Sequence, residues 1–594
     1  MQFLRRAVAL VAVGTFLASG VSQAEPSVFE IQSLDGHGNN RAHPDWGTAG
    51  EAYTRLAPTR YADGVGQPVT GPNARYVSNR IFADGRQNLT SDRGVSQWAQ
   101  VWAQFMDHTF GLREDTTTDA SVPWDNEAPM EHVRNDLGSI PMRRSGVVDG
   151  VTPHEQKNIV SSYLDGWAVY GGTQDRLTWL RDGAKLLLPN NMLPRRQARG
   201  GDGTDAPVMT GPFGAITTGN GVVAGDLRAN ENATITAVQT LFAREHNRIV
   251  DRLPSHLSDE EKFQIARKVV IAEQQWITYQ EFLPAMGLLL APYRGYRPDV
   301  RTSLANEFAT VGYRSHSMVR GDFKVVTNAS RYPAQQLDAL RARGMSVTVT
   351  GDQVEIGIPP RLLPFNPDLV DDVQLGPLLQ SFGRQPENRN DEVVDEDALR
   401  SIVFLIPGCV PRCLTAVVDV AALDVERGRD HGIAAYNDLR RAYGLAPKPS
   451  FRAISGEPTE SFPSDPELTP GDEINDPNSL DYVRPGVRRT TTAARLKAIY
   501  GDVSGLDAIV GMMAEPRLPG SEFGELQHAI WKKQFEALRD GDRFFHANDP
   551  ALRIIKARYG IDYRRSLGDV IAANTDIRRG DLAYDVFRAH PPVG

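Results

Sequence analysis

Between Trp98 and Phe110 the chain reads "WAQVWAQFMDHTF", with large apolar side chains at 98, 101, 102 and 105. That spacing puts one helical face into a core. Ser91 or Asp92 can cap the helix and Gly111 can end it. The same period predicts helices over 155–168, 233–251, 259–286, 302–318, 417–442, 490–515 and 522–539. Alternation of apolar and polar residues in "SVTVTGDQVEIGI", 346–358, predicts a hairpin turning at Gly351-Asp352. Residues 25–90 are rich in Gly, Pro and Asn and read as an extended segment wrapping the rest. The acidic stretches "PENRNDEVVDED" and "SGEPTESFPSDPELTPGDEINDPNS" read as solvated loops. The fold class is therefore mainly α, with a minor β-hairpin.

Polar residues interrupt the first helix in a pattern of their own. Gln104 and His108 are four apart and Asp107 is three from Gln104, so the trio shares one patch. Each loses hydration on burial and needs a partner. Three other stretches hold similar groups. Arg228 and Glu231 lie one turn apart in "AGDLRANE", ahead of the helix with Arg244, Glu245, His246 and Arg248. His316 follows a stretch with few charges, and Asp424 precedes the cluster Arg427, Arg429, Asp430 and His431. Two distant histidines with acids and amides nearby can sandwich a planar metallocofactor. The same residues can also be core and salt-bridge groups, and spacing does not choose between these readings.

Composition narrows the classes. A chain of 594 residues, 41% hydrophobic, has material for a large core, and a net charge of -9 without a basic patch excludes a nucleic-acid partner. Arg5 and Arg6, the apolar run 7–17 and "SQA" at 22–24 read as a signal peptide over 1–24, placing the mature chain 25–594 in a secreted or periplasmic setting. The apolar run is shorter than the ~20 residues that span a bilayer, and no later segment reads as a membrane span. Cys409 and Cys413 in "GCVPRC" can close a disulfide there, since a soft-metal site needs more ligands. No internal repeat, phosphate loop or dinucleotide fingerprint is present, and "HEQ" at His154 is not a zincin motif.

Taken together and in order, "DGHGNNRAHPDWG", "YVSNRIF", "WAQFMDH", "SSYLDGWAVYG", "AGDLRANE", "TLFAREHNRI", "DVERGRDHGIAAYN" and "QFEALRDGDRFF" resemble the animal haem peroxidase family, related more remotely to the cyclooxygenases. The likeness runs from about 39 to 548 and suggests a bacterial-type secreted member with helices enclosing haem. It implies that His108 is the distal histidine, Gln104 its neighbour at the small-anion site, Arg228 the distal arginine and His316 the iron ligand. Asp107 and Glu231 match the carboxylates that esterify haem b. Asn232 stands where myeloperoxidase has its sulfonium methionine, so that third link is not expected. Asp424 replaces the family's asparagine beside the proximal histidine. The implied function is reduction of hydrogen peroxide and oxidation of bromide, iodide, thiocyanate or phenolic donors through an oxoferryl intermediate.

Three departures open alternatives. Thr109 stands where the family has a calcium-binding aspartate, and Trp167 replaces a serine, although Ser161, Tyr163 and Asp165 keep part of a possible calcium loop. Tyr313 in "YRSH" is similar to the radical-forming tyrosine of cyclooxygenases and fatty-acid dioxygenases, which gives a rival activity. A non-enzymatic adhesion module on the same scaffold is a third reading. Oligomeric state is not legible.

Overall fold

The aromatic stripe of the first helix decides where the centre of the protein lies. In the computed structural model, described for residues 29–84, 89–125, 138–211, 214–216, 221–405, 415–463, 476–482 and 488–590, that helix is α1, Trp98–Phe110. Trp98, Val101, Trp102 and Phe105 are wholly buried. Each contributes roughly 1.5–3 kcal/mol of burial energy, which offsets the cost of the polar patch on the other face. Phe105 stacks on Phe242 of α2 (Ala233–Asp251) at 5.3 Å, and the Trp102 indole N–H donates to Thr278 Oγ1 at 3.1 Å. Thr278 lies just beyond α3, Asp259–Ile277, which opens on a capping box between Ser258 and Glu261 and continues through a π-turn to Ala285. The predicted 259–286 helix is thus one rod with a widened turn.

Three further helices pack around this centre, and the last two carry residues of the site. They are α4 (Leu375–Phe382), α5 (Val420–Asp430) and α6 (Glu525–Asp540). The predicted hairpin forms as β2 (Ser346–Thr350) and β3 (Gln353–Ile358), with Gly351 at φ 58° in the two-residue turn. A third strand, β1 (Phe323–Asn328), pairs antiparallel with β3 and was not foreseen, because a short apolar run fits helix and strand alike.

Several expectations are corrected. Residues 155–168 do not form a helix, and only Trp167–Tyr170 is helical there. Asn158 donates to Phe110 O at 2.8 Å, while Ser161 Oγ and Asp165 Oδ1 accept from the backbone of Tyr163 and Trp167. The Ser161 and Asp165 bonds are local and compete with a helical ladder, while Asn158 is drawn to the end of α1. Ser91 does not cap α1 but closes a turn by accepting from Arg93 N and Val95 N, and Asp92 pairs with Arg389 and Arg517. Gly111 does end α1, its N–H returning to Asp107 O at 2.9 Å. The 302–318 stretch shortens to 306–312 with a π-turn at Phe308–Gly312. The 417–442 stretch splits at Gly432, φ 57°, into α5 and Tyr436–Ala442, and 490–515 splits into Thr492–Tyr500 and Ala508–Met513.

The acidic stretch 386–397 is not a solvated loop. Glu387, Asn388, Asn390 and Asp395 are buried. Asn390 donates to Gln527 Oε1 at 2.6 Å, Asn388 to Val319 O at 3.1 Å, and Asp395 accepts from Gly321 N at 3.0 Å. Of the second acidic stretch, 464–475 lies outside the described residues, as do 1–28 and the Cys409–Cys413 segment. In the described part of the 25–90 segment Asn39 donates to Asp542 Oδ1 at 2.8 Å and Thr54 N to Leu304 O at 2.8 Å, while Ala74–Val77 and Ser78–Phe82 are helical rather than extended. Gln32–Gly594 form one contact unit, and no helix among the described residues is long and apolar enough to cross a membrane.

Candidate functional site

The polar patch of α1 meets the loop ahead of α2. That loop is pinned at Gly225, where a Cβ would stand 2.3 Å from Trp167 O, so only glycine lets the chain pass. Glu231 N closes a turn on Arg228 O at 2.8 Å, and Asn232 caps α2 by accepting from Ile235 N at 3.0 Å. The other end of the Asn232 amide donates to Gln104 Oε1 at 3.0 Å, which fixes that side chain. Arg228 Nη1 donates to Asp107 Oδ2 at 3.0 Å and Nη2 to Gly111 O at 2.9 Å. His108 Nε2 lies 3.0 Å from Glu231 Oε2. The structure therefore gathers Gln104, Asp107, His108, Arg228 and Glu231 into one cluster.

His108 is buried, but the Glu231 side chain keeps 45% of its accessible surface although protein surrounds it at longer range. The group lines an internal recess. Burial pushes the Glu231 carboxyl up, yet the hydrogen bond and charge of His108, with the charge of Arg228, hold it below the usual range. Burial alone would weaken the Arg228 cation, and the charges of Asp226 and Asp107 outweigh it and raise its pKa.

Asp226 is the functional candidate that the sequence reading missed. It is wholly buried and grips Arg228 three times, accepting from N and Nε at 2.9 Å and from Nη2 at 3.0 Å. Burial opposes its ionisation, but Arg228 and His108 hold its pKa below the ordinary carboxylate value. The available signal was the acid two residues ahead of an arginine, which suits an Asx turn.

A second group forms around His316, whose Nδ1 lies 2.6 Å from Asp424 Oδ2 on α5. Tyr313 ties this group to α1: its hydroxyl donates to Ala103 O at 3.1 Å, and its ring stacks on Trp531 of α6 at 4.6 Å. Burial, with the nearby Asp107 charge, pushes the Tyr313 phenol well above its ordinary pKa.

Other candidates are structural. Glu245 is held by Arg248, Arg565 and Asn574, and His246 sits between Tyr170 and Ala184 O with its pKa lowered to about 4 by burial. Arg427 and Asp430 bond to each other, Arg429 bonds to Asp507, and His431 contacts Ser145 and Asn306. A cavity of about 710 Å³ beside Arg244, Asp371 and Asn574 shares no residue with the His108 cluster.

The possible calcium residues do not fit that ion. Asp165 Oδ1 faces the donating Trp167 N–H at 3.2 Å and Oδ2 is sealed without a hydrogen-bond partner. Tyr163 donates to Trp46 O, and the Thr109 hydroxyl turns back to Phe105 O. Calcium takes six to eight oxygens, whereas one carboxylate is present with an N–H donor beside it. Among the described residues, no three His, Cys, Asp or Glu side chains cluster as metal ligands. Burial pushes Asp165 up to about 7, against the Ser161 hydrogen bond and the Arg267 charge. Because its folded pKa is raised, its contribution to stability is full below the ordinary value of 3.8 and is lost as pH rises through about 7. In thermal melts, Asp165→Asn should gain on the wild type progressively across that window and then level off, with added calcium moving neither protein.

The two histidine groups do fit haem. An imidazole whose Nδ1 is engaged by a carboxylate presents Nε2 to iron, and the His316 side chain is 29% exposed rather than sealed. Carboxylates, an arginine and a second imidazole line the recess on the α1 side.

Comparison with known proteins agrees. The chain is 27% identical to peroxidasin homolog pxn-2 of Caenorhabditis elegans over 94% of its length, spanning 42% of that protein. It is 26% identical to thyroid peroxidase of Rattus norvegicus, covering 94% of this chain and 61% of that one. Its fold matches peroxidase A of Dictyostelium discoideum with a TM-score of 0.71 and 25% identity, over 94% of this chain and 99% of the other. The animal haem peroxidase family model matches residues 31–587. The chain belongs to the animal haem peroxidase family.

Proposed function

We propose that the protein is a haem peroxidase that reduces hydrogen peroxide and oxidises small anions or phenols. The observation that carries this reading is the joint placement of His108, Arg228 and Gln104 on one recess, with a carboxylate-backed histidine on the segment tied to α1 through Tyr313. His316 would hold the iron, and Asp107 and Glu231 would form esters with the haem periphery. When bound, haem supplies the iron that takes up peroxide and the oxidising equivalents for the donor.

The protein side chains manage protons and charge. His108 Nε2 would accept a proton from one peroxide oxygen and return it to the departing one. Arg228 stabilises negative charge as the O–O bond breaks. An ester at Glu231 removes the negative charge now paired with His108 Nε2, which frees that nitrogen for peroxide. The leader-like residues 1–24 support a secreted or periplasmic location, and a Cys409–Cys413 disulfide suits it.

Asp424 sets the donor range. Its 2.6 Å contact with His316 Nδ1 makes the imidazole more anionic than an amide would, and that lowers the haem potential. Bromide, iodide, thiocyanate and phenols should be better donors than chloride, and Asp424→Asn should shift the ratio toward chloride. Peroxide-dependent turnover measured across those donors tests this, and efficient chloride oxidation by the wild type would contradict it. The dioxygenase reading has less support: the Tyr313 phenol faces a carbonyl, which is not a base able to take its proton, and its ring is locked among aromatics.

A further inference from the structure

Asp226 stands between the two groups that act on peroxide in the reading above. Its Oδ1 accepts from Arg228 and also lies 3.6 Å from His108 Nδ1. That nitrogen is sealed from solvent and has no hydrogen-bond partner. The Asp226 backbone is pinned, its N–H donating to Ala168 O at 3.2 Å and the preceding Gly225 wedged against the Trp167 and Tyr170 backbone, and Arg228 Nε and Nη2 hold the two carboxylate oxygens. Two carboxylates flank the His108 ring, Asp226 at Nδ1 and Glu231 at Nε2. Glu231 is the one that an ester would neutralise, which leaves Asp226 as the anion beside the ring.

We propose that Asp226 is a positioning residue for peroxide cleavage: it orients the Arg228 guanidinium and selects the Nδ1–H tautomer of His108, so that Nε2 keeps the lone pair that takes the proton from peroxide. The opposite tautomer would turn a lone pair toward a buried carboxylate and present an N–H to peroxide, which cannot act as a base. The 3.6 Å separation tightens to a hydrogen bond as the ring becomes imidazolium during the transfer. No atom leaves the pair, since the proton goes from peroxide to Nε2 and then to the departing oxygen.

The inference rests on the peroxidase reading, and the test separates the two. Haem-loaded wild type, Asp226→Asn and Asp226→Glu are compared in three rapid-mixing reactions: carbon monoxide with the ferrous protein, which needs no proton transfer, and hydrogen cyanide and hydrogen peroxide with the ferric protein, which both do. Asp226→Asn should bind carbon monoxide at the wild-type rate while its cyanide and peroxide rates fall together by about 100-fold. Asp226→Glu keeps a charge for Arg228 but displaces it from the ring, and should fall between the two. Wild-type cyanide and peroxide rates in haem-loaded Asp226→Asn would overturn the proposal. So would loss of haem from both variants, or an equal fall in carbon monoxide binding, because Asp226 would then be merely structural. A wild type that binds cyanide but does not react with peroxide would sink the peroxidase reading, while the cyanide comparison would still decide the role of Asp226.

Discussion

His108→Ala should keep its haem and lose peroxide cleavage by roughly 10²- to 10⁴-fold, the range that a positioned general base contributes. The substitution removes the only imidazole among the described residues of the cluster around Arg228. His246 and His431 are committed to Tyr170 and Ser145 elsewhere in the core, and burial lowers the pKa of both. Glu231 loses its partner at Nε2 but does not replace it as a base once esterified. Stopped-flow mixing with peroxide, normalised to haem per chain, gives the loss. Added imidazole should restore part of the rate through the space left by the ring, whereas a variant that had merely misfolded would not respond.

Arg228→Leu should cost both activity and stability. Removing a donor aimed at developing charge typically slows a reaction by about 10²- to 10³-fold. It also strands Asp226, which is wholly buried and whose cationic partner is Arg228. Breaking a buried pair from one side costs about 3–5 kcal/mol. The pH dependence has a definite sign. The folded pKa of Asp226 is depressed, so its contribution to stability is present above the ordinary value of 3.8 and disappears as pH falls below it. Without Arg228, burial favours the neutral acid instead. The stability deficit of Arg228→Leu measured by urea unfolding should therefore be larger at pH 7 than at pH 4, and an equal deficit at both would contradict the pairing.

The local half of the site is readable from spacing and the long-range half is not. Gln104, Asp107 and His108 share a patch because a helix repeats every 3.6 residues, and Arg228 and Glu231 meet in a single turn. Nothing in a local window joins His316 to Asp424 across 108 positions. That pairing came from resemblance to a family. Asp226 escaped notice because an acid two residues before an arginine looks like an ordinary turn until burial shows that it has no water.

The fold divides in the same way. The α1 stripe and the β2–β3 hairpin follow from local periodicity. The 155–168 segment has helical periodicity too, but Ser161 and Asp165 bond to backbone two residues on, and Asn158 to Phe110 O, 48 positions away. The 386–397 stretch looks solvated by composition. Gln527, Val319 and Gly321, all distant in sequence, satisfy the buried side chains of Asn390, Asn388 and Asp395.

The central claim is that His316 and the His108–Arg228 cluster enclose a peroxide-reactive haem. The most direct measurement is the optical spectrum of protein purified from haem-supplied cells, recorded before and after one equivalent of peroxide and compared with His316→Ala. The account expects one haem per wild-type chain, a spectrum that changes on peroxide addition, and loss of that bound haem in His316→Ala. A wild-type chain without haem, or one whose haem spectrum is indifferent to both peroxide and the loss of His316, would contradict it.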